Sequence, residues 1–327
     1  MKIKIGVVMD PINNINIKKD STFSILLESQ KRNYIIYYME IKDLYIYSNK
    51  AYSKTKIINV KKNKKKWFKI IKKKTILLSK LDIILMRKDP PVNMEFIYST
   101  YILEKAEQNG AIVVNKPSSL RNFNEKIFSI EFKKFIPKTL ITSKKNTIKK
   151  FIKKNKDIII KPLNGMGGHS IFRVKEKDKN FSVIVETMTQ KETKYCISQK
   201  YIKEILNGDK RIIIINGIPI KWCVHRIPKK GENRGNIAAG GKIKLKKINK
   251  EDLKISKIVG KFLIKKGIIL AGIDIIGNKL TEINITSPTC IREIEDFYKI
   301  SISKILLNCL EKKVLKKNIK NINRYKK

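Results

Sequence analysis

Short apolar runs alternate with helically spaced ones along the first third of the chain. "IKIGVVM" (3–9), "YIIYYME" (34–40), "LDIILM" (81–86) and "AIVVN" (111–115) are near-continuous apolar stretches of the kind that form buried strands. Between them, "STFSILLESQKR" (21–32) spaces its apolar residues for one helical face, with Asp20 placed to cap it. A second helix is predicted over 95–108, ended by Gly110, and the insert from Leu44 to Val60 reads as a hairpin. Strands alternating with helices predict an α/β layer with a mainly parallel sheet.

The texture changes at Pro117. "SSLRNFNEKIFSIEF" (118–132) reads as a helix, "KTLIT" (138–142) as a strand, "SKKNTIKKFIKKN" (143–155) as a helix capped by Ser143, and "DIIIK" (157–161) as a strand. A glycine loop follows, then the strand "SIFRV" (170–174), a helix over 181–189 and the strand "YCISQKYI" (195–202), which together make a small α+β unit. Two long hairpin-like stretches come next, "KRIIIINGIPIKWCVHRI" (210–227) and "IILAGIDIIGNKLTEINIT" (268–286). A glycine-rich loop (228–241) and a helix (251–266) separate them, and a C-terminal helix with a basic tail closes the chain.

At 327 residues and 42% hydrophobic, the chain suits more than one packed domain. Its charge is extreme, 74 Lys+Arg against 28 Asp+Glu for a net +46, and such a balance raises nucleic acid or an anionic membrane as partner. The lysines, however, are spread over every segment, while isoleucine and asparagine abound and arginine is scarce. That pattern fits lysine filling solvated positions under AT-rich codon drift. No zinc-finger, RRM or KH pattern is present, so no specific nucleic-acid partner is expected. Four scattered cysteines without paired spacing point to a reduced, cytoplasmic protein. "MKIKIGVVMD" reads as a strand, and Asp274 interrupts the longest apolar stretch, so no signal peptide and no membrane span are expected.

Candidate chemistry lies in two places. In "KPLNGMGG" (161–168), Gly165, Gly167 and Gly168 can turn backbone N–H groups onto one anion, and Lys161 brings an ammonium to the same space. A plain glycine hairpin turn explains the loop alone equally well. In "AGIDIIGNKLTEINITSPT" (271–289), Asp274, Glu282 and Asn284 are oxygen donors in an apolar hairpin. Glu282 and Asn284, two apart on a strand, share a face. A three-residue turn over 277–279 would set Asp274 opposite Glu282 on that face, and a two-residue turn would send it to the other. We expect the odd-numbered turn. Oxygen-only donors gathered on an apolar sheet need a cation, which favours Mg²⁺ shared with substrate phosphates, unless the face is a solvated polar stripe.

With Lys126 as a second lysine on a separate element, these features resemble the ATP-grasp ligases and, more narrowly, the prokaryotic glutathione synthetases. "VVMDPINNINIKKDSTFSILLE", "MRKDPP", "VNKPSSLRNFNEK", "KPLNGMGG", "PKKGENRGNIAAGG" and "TEINITSPTCIREIE" match that family's pattern in order, over nearly the whole chain. His169, His225 and the basic tail beyond Glu311 are its departures. The resemblance implies an N-terminal α/β domain (1–121), a central ATP-grasp subdomain (122–200) and a C-terminal one (201–327) with a lid at 228–241. It implies ATP held by Lys126, Lys161, Gly165, Met166, Gly167 and Gly168, by Gln199, Lys200, Tyr201 and Ile202 at the adenine, and by Asp209. It further implies Mg²⁺, with Mn²⁺ as the alternative ion, on Asp274, Glu282 and Asn284. Arg211, Arg226 and Arg234 would be catalytic, Ser287 and Thr289 would touch substrate, and the loop 12–20 would border a dipeptide. The implied reaction joins glycine to γ-glutamylcysteine through an acylphosphate, with ATP consumed, in a homotetramer. With two histidines and no Ser/His or Cys/His pair, covalent catalysis by the protein is not expected, and Cys290, His169 and His225 read as spectators. The rivals are another ATP-grasp carboxylate–amine ligase, which would share the phosphate and metal residues but not "MRKDPP" or the lid, and a non-enzymatic polyanion binder.

Overall fold

A computed structural model of the chain describes residues 2–229, 231, 232, 235 and 240–325, with backbone alone for 320–325. Three sheets build the molecule. The first contains β1 (Lys4–Val8), β2 (Ile35–Met39), β3 (Leu44–Tyr47), β4 (Lys50–Val60), β5 (Phe68–Leu77), β6 (Ile83–Met86) and β7 (Ile112–Val114). The β2-β1-β6-β7 centre is parallel, and β3, β4 and β5 add an antiparallel flank. Helices α1 (Ser21–Lys31) and α2 (Met94–Gln108) lie over it, each started by a short polar side chain, as expected for Asp20. Asp20 accepts from Phe23 N and Asn93 from Phe96 N. The strand β5 was not foreseen. Nearly all its side chains are exposed, so it shows no alternation to read, only a run of charge.

The predicted helix over 118–132 is split. α3 (Pro117–Asn122) stops, and a 3₁₀ turn follows at Ile127–Phe132. Between them Asn124 Oδ1 accepts from the N–H groups of Lys126 and Ile127, both at 3.1 Å, and this local bond displaces the helical one. The break turns Glu125 and Lys126 toward the middle of the molecule.

The second sheet runs β10-β9-β11-β8, all antiparallel, from β8 (Thr139–Thr142), β9 (Asp157–Pro162), β10 (Phe172–Lys175) and β11 (Cys196–Lys200). α4 (Lys145–Asn155) and α5 (Phe181–Thr189) cover one face through Ile148, Ile152, Val185 and Met188. Ser143 does not cap α4. The helix starts two residues later, and Glu192 Oε1 accepts from Lys145 N at 2.7 Å in its place.

The third sheet, also antiparallel, runs β14-β13-β12-β15-β16: β12 (Asp209–Ile215), β13 (Ile218–Ile227), β14 (Lys242–Lys247), β15 (Leu270–Ile276) and β16 (Lys279–Asn284). α6 (Lys250–Lys265), the unforeseen α7 (Ile291–Tyr298) and the long α8 (Ile302–Tyr325) complete the chain. Among the described residues no helix is long and apolar enough to cross a membrane, and all four cysteines are free.

Candidate active site

Between the second and third sheets lies a cavity of about 310 Å³. The floor comes from β12, β13, β15 and β16, the roof from β9, β11 and the glycine loop. Every described residue named from the sequence for ATP, metal or catalysis lines it, as do Ser287 and Thr289, whereas no residue of the loop 12–20 does. Arg234 and half of the residues of the anticipated lid lie outside the described residues, and among the described ones only Gly235 stands for that loop in the lining.

The glycine loop joins β9 to β10. Gly167 (φ 66°) and Gly168 (φ 84°) take the left-handed backbone that a side chain would resist, which lets the chain fold over the cavity. Lys161, on β9, is buried beneath it, and burial pushes its pKa down, with the Glu282 carboxylate opposing. Lys126 Nζ donates to Gly165 O at 2.6 Å and pairs with Glu282 at 3.3 Å, so one ammonium links the glycine loop to the acidic face.

The acidic face forms, though not by the expected turn. β15 and β16 are joined by the two residues Gly277 and Asn278, since Ile276 pairs with Lys279 and Ile275 with Leu280. Gly277 (φ 58°) has the backbone that the first position of a two-residue hairpin turn requires. Such a turn would place Thr281 opposite Asp274. A β-bulge there inserts one residue, so that Asp274 pairs with Glu282 and Gly272 with Asn284. Thr281 and Glu282 both line the cavity, and Thr281 Oγ1 donates to Asp274 O at 3.1 Å.

Asp274 sits in a chain of alternating charges. Its Oδ1 accepts from Arg211 Nε at 2.5 Å, and its Oδ2 from the Nη2 atoms of Arg211 and Arg226, both at 2.9 Å. Arg226 also grips Asp209 with two bonds of 2.6 and 2.8 Å. Burial pushes the Asp274 carboxyl up, but two guanidinium groups outweigh it and hold its pKa well below the usual carboxylate range. Asp209 is pushed up by burial, with the Arg226 guanidinium opposing and the Asp274 carboxylate adding to the rise.

These donors suit a hard divalent cation beside phosphates. Glu282 offers a carboxylate, and Asn284 turns its amide nitrogen to Gly272 O and Asp274, which leaves its carbonyl oxygen for another partner. Asp274 faces the same way, with both its oxygens engaged by arginine.

Ser287 donates to Asp89, and Arg211 Nη1 reaches Thr289 Oγ1 at 3.4 Å. Asp89, Glu125, Thr281 and His169 also line the cavity without having been assigned to it. Asp89 and Glu125 stand inside the quoted "MRKDPP" and "NEK" segments, where their charge was the available signal. Cys290 is buried and starts α7. Burial pushes its thiol up to about 11, so it is no nucleophile near neutral pH.

Known proteins share these segments. The N-terminal domain of prokaryotic glutathione synthetase matches residues 3–121, and the ATP-grasp domain of prokaryotic glutathione synthetase matches residues 125–299. The glutathione synthetase of Buchnera aphidicola subsp. Baizongia pistaciae is 60% identical over 326 residues, spanning 99% of this chain and 100% of its own. That of Escherichia coli strain K12 is 52% identical over 309 residues, spanning 94% and 98%. Among solved structures, the ATP-grasp ligase PsnB complexed with minimal precursor, Mg and ADP superposes with a TM-score of 0.61 at 15% identity, over 95% of this chain and 98% of that one. D-alanyl-alanine synthetase A from Vibrio cholerae gives 0.60 at 12% identity, over 96% and 99%. At such identities these two share the fold alone.

Proposed function

The chain belongs to the prokaryotic glutathione synthetase family of ATP-grasp ligases, and from that premise we propose how its cavity joins glycine to γ-glutamylcysteine. Lys126 and Lys161 hold the ATP phosphates under Gly165, Met166, Gly167 and Gly168. Gln199, Lys200, Tyr201 and Ile202 border the adenine, with Asp209 below. Mg²⁺, or Mn²⁺ in its place, would be held by Glu282 and Asn284, with Asp274 joining once substrate anions compete for Arg211 and Arg226. The ion supplies neutralisation of phosphate charge.

The substrate brings its own nucleophile. The cysteinyl carboxylate attacks the γ-phosphorus, the bond to the β-phosphate oxygen breaks, and ADP leaves. The glycine amine then attacks the acyl carbon and expels phosphate. Arg226, still held by Asp209, and Arg211, turned from Asp274 to the substrate, stabilise the charge developing on both carbonyl and phosphoryl oxygens. Arg234 and the lid would shield the acylphosphate from water. Ser287 and Thr289, on the far wall beside Asp89, would touch the dipeptide, with the loop 12–20 beyond them. The division into 1–121, 122–200 and 201–327 follows the same roles. The homotetramer follows from the family resemblance, and the outer face of α2, where half-exposed Met94, Tyr98 and Tyr101 share one helical face, offers an apolar surface for self-association. Reduced, unpaired cysteines favour the cytoplasm.

The observation that carries this reading is one cavity in which two lysines and two arginines meet the acidic face of β15 and β16. ADP release is measured with γ-glutamylcysteine and glycine, separately and together, in the presence of ATP and Mg²⁺. Rapid release is expected only with both. Comparable turnover on D-alanine alone would assign the cavity to a neighbouring ligase chemistry.

A further inference from the structure

The segment after β16 carries no regular structure until α7, yet it is held at residue after residue by side chains from the first part of the chain. Asn115 Nδ2 donates to Ile285 O at 2.6 Å, and Arg87 Nη2 donates to Pro288 O at 3.1 Å. Ser287 Oγ donates to Asp89, and Ile291 N donates to Ser21 Oγ at 3.2 Å. Glu125 makes the most bonds. Its Oε1 accepts from Ile285 N at 2.7 Å, Thr286 N at 2.9 Å and Thr286 Oγ1 at 2.8 Å, and its backbone oxygen accepts from Ile283 N at 2.9 Å.

The geometry of β16 explains why one residue gathers so many donors. β16 is the edge strand of its sheet, and alternate N–H groups of an edge strand point away from the ladder. Ile283 and Ile285 are two apart, so their N–H groups leave by that open edge, and Glu125 meets both. The next residue, Lys126, pairs with the Glu282 carboxylate at 3.3 Å. Residues 125 and 126 thus hold the backbone and a side chain of the same strand.

We propose that Glu125 is a positioning residue for the ligation: its carboxylate pins the open edge of β16 and the backbone of Ile285 and Thr286. Glu282 and Asn284 before the pin, and Ser287 and Thr289 after it, then keep their places in the cavity. The role rests on the functional reading above. It needs an acceptor oxygen at this place and no cationic partner, because all three donors to the carboxylate are neutral.

Three variants test this: Glu125→Ala, Glu125→Gln and Thr286→Val. In Glu125→Ala, kcat is expected to fall about 10–100-fold, the range for losing a group that orients a metal ligand, with little change in nucleotide binding measured by calorimetry. Glu125→Gln keeps an acceptor and should recover most of the loss. Thr286→Val removes one bond of the three and should lie between, so the series stays informative if the alanine variant does not fold. Hydrogen exchange without substrates should show faster exchange at the amides of Ile283, Ile285 and Thr286 in the alanine variant and near-normal exchange in the glutamine variant. If Glu125→Gln is as damaged as Glu125→Ala, the charge matters and the positioning role is wrong. Unchanged exchange in the alanine variant would overturn it as well. If the wild-type protein fails to turn over γ-glutamylcysteine and glycine, the functional reading fails, while exchange still decides whether the pin exists.

Discussion

Lys161 shows how burial at a single residue sets a pH response. Burial lowers its pKa from the ordinary lysine value of 10.5, and Lys126 pushes the same way, while Glu282, Asp274 and Asp209 oppose without cancelling. In the free protein its charge is therefore lost at a lower pH than that of a surface lysine. Nucleotide phosphates favour the ammonium, so binding raises its pKa again and draws in a proton. The sign follows: affinity is full below the lowered free-protein pKa and falls as pH rises through it, by up to tenfold per pH unit for one proton. Calorimetric titration with ADP from about pH 7 to about pH 10, in buffers of different ionisation enthalpy, should show proton uptake growing with pH. Constant affinity without uptake would mean that Lys161 does not face the phosphates. The lysine, the glycines and the three oxygen donors were legible in the sequence because charge inside an apolar run is conspicuous. The arginine grip on Asp274 was not, since it joins residues from β12, β13 and β15 that only the sheet order brings together.

The hairpin of β15 and β16 shows what alternation can and cannot reveal about an element. Spacing placed Glu282 and Asn284 on one face, and they are. Bringing Asp274 to that face from spacing alone required an odd turn, because alternation assumes an unbroken ladder. The pair Gly277 and Asn278 is itself a two-residue turn signal, and it prevailed, with the bulge near Thr281 restoring the register. Bulges leave no mark in a hydrophobic pattern, as Asn124 left little mark before it split a helix. The turn is held from outside as well. Lys210 Nζ, buried and paired with Asp252, donates to Gly277 O at 2.7 Å, and a β-carbon on Gly277 would lie 3.2 Å from Glu204 Cβ. Gly277→Ala should therefore destabilise the protein by about 1–2 kcal/mol, the cost of a side chain in left-handed backbone, read as a lower urea midpoint. Turnover should fall with it, because the bulge lies four residues downstream. An unchanged midpoint would show that the turn relaxes freely and that the bulge alone sets the register.

Across the whole molecule, much of the sheet architecture was legible from chain order: apolar runs alternating with helices in the first sheet, and long apolar stretches broken by glycine turns in the third. The lysine excess does not follow that architecture. Between Lys54 and Lys74 the chain holds eleven lysines and no acidic residue, and this stretch forms the antiparallel ribbon of β4 and β5. Lysines on the exposed edge strand β5 block pairing with another sheet, which gives them a structural use without any ligand. Among the buried cations of the cavity, Lys126, Arg211 and Arg226 are instead paired with carboxylates. Surface charge and site charge are thus separate populations, and the net +46 acts mainly as a long-range field. Such a field attracts any polyanion through counterion release alone, with a slope of log affinity on log salt of about −0.9 for each duplex phosphate neutralised. Binding to mixed-sequence DNA should accordingly be detectable at low salt, indifferent to sequence, and nearly gone at physiological salt. Replacing Lys64, Lys65, Lys66, Lys72, Lys73 and Lys74 by glutamine should flatten that slope and leave ligase turnover intact, since none of them reaches the cavity. Sequence-selective binding that survives physiological salt would show that the ribbon reads a nucleic acid, and the lysine pattern would then need a selective explanation in place of drift.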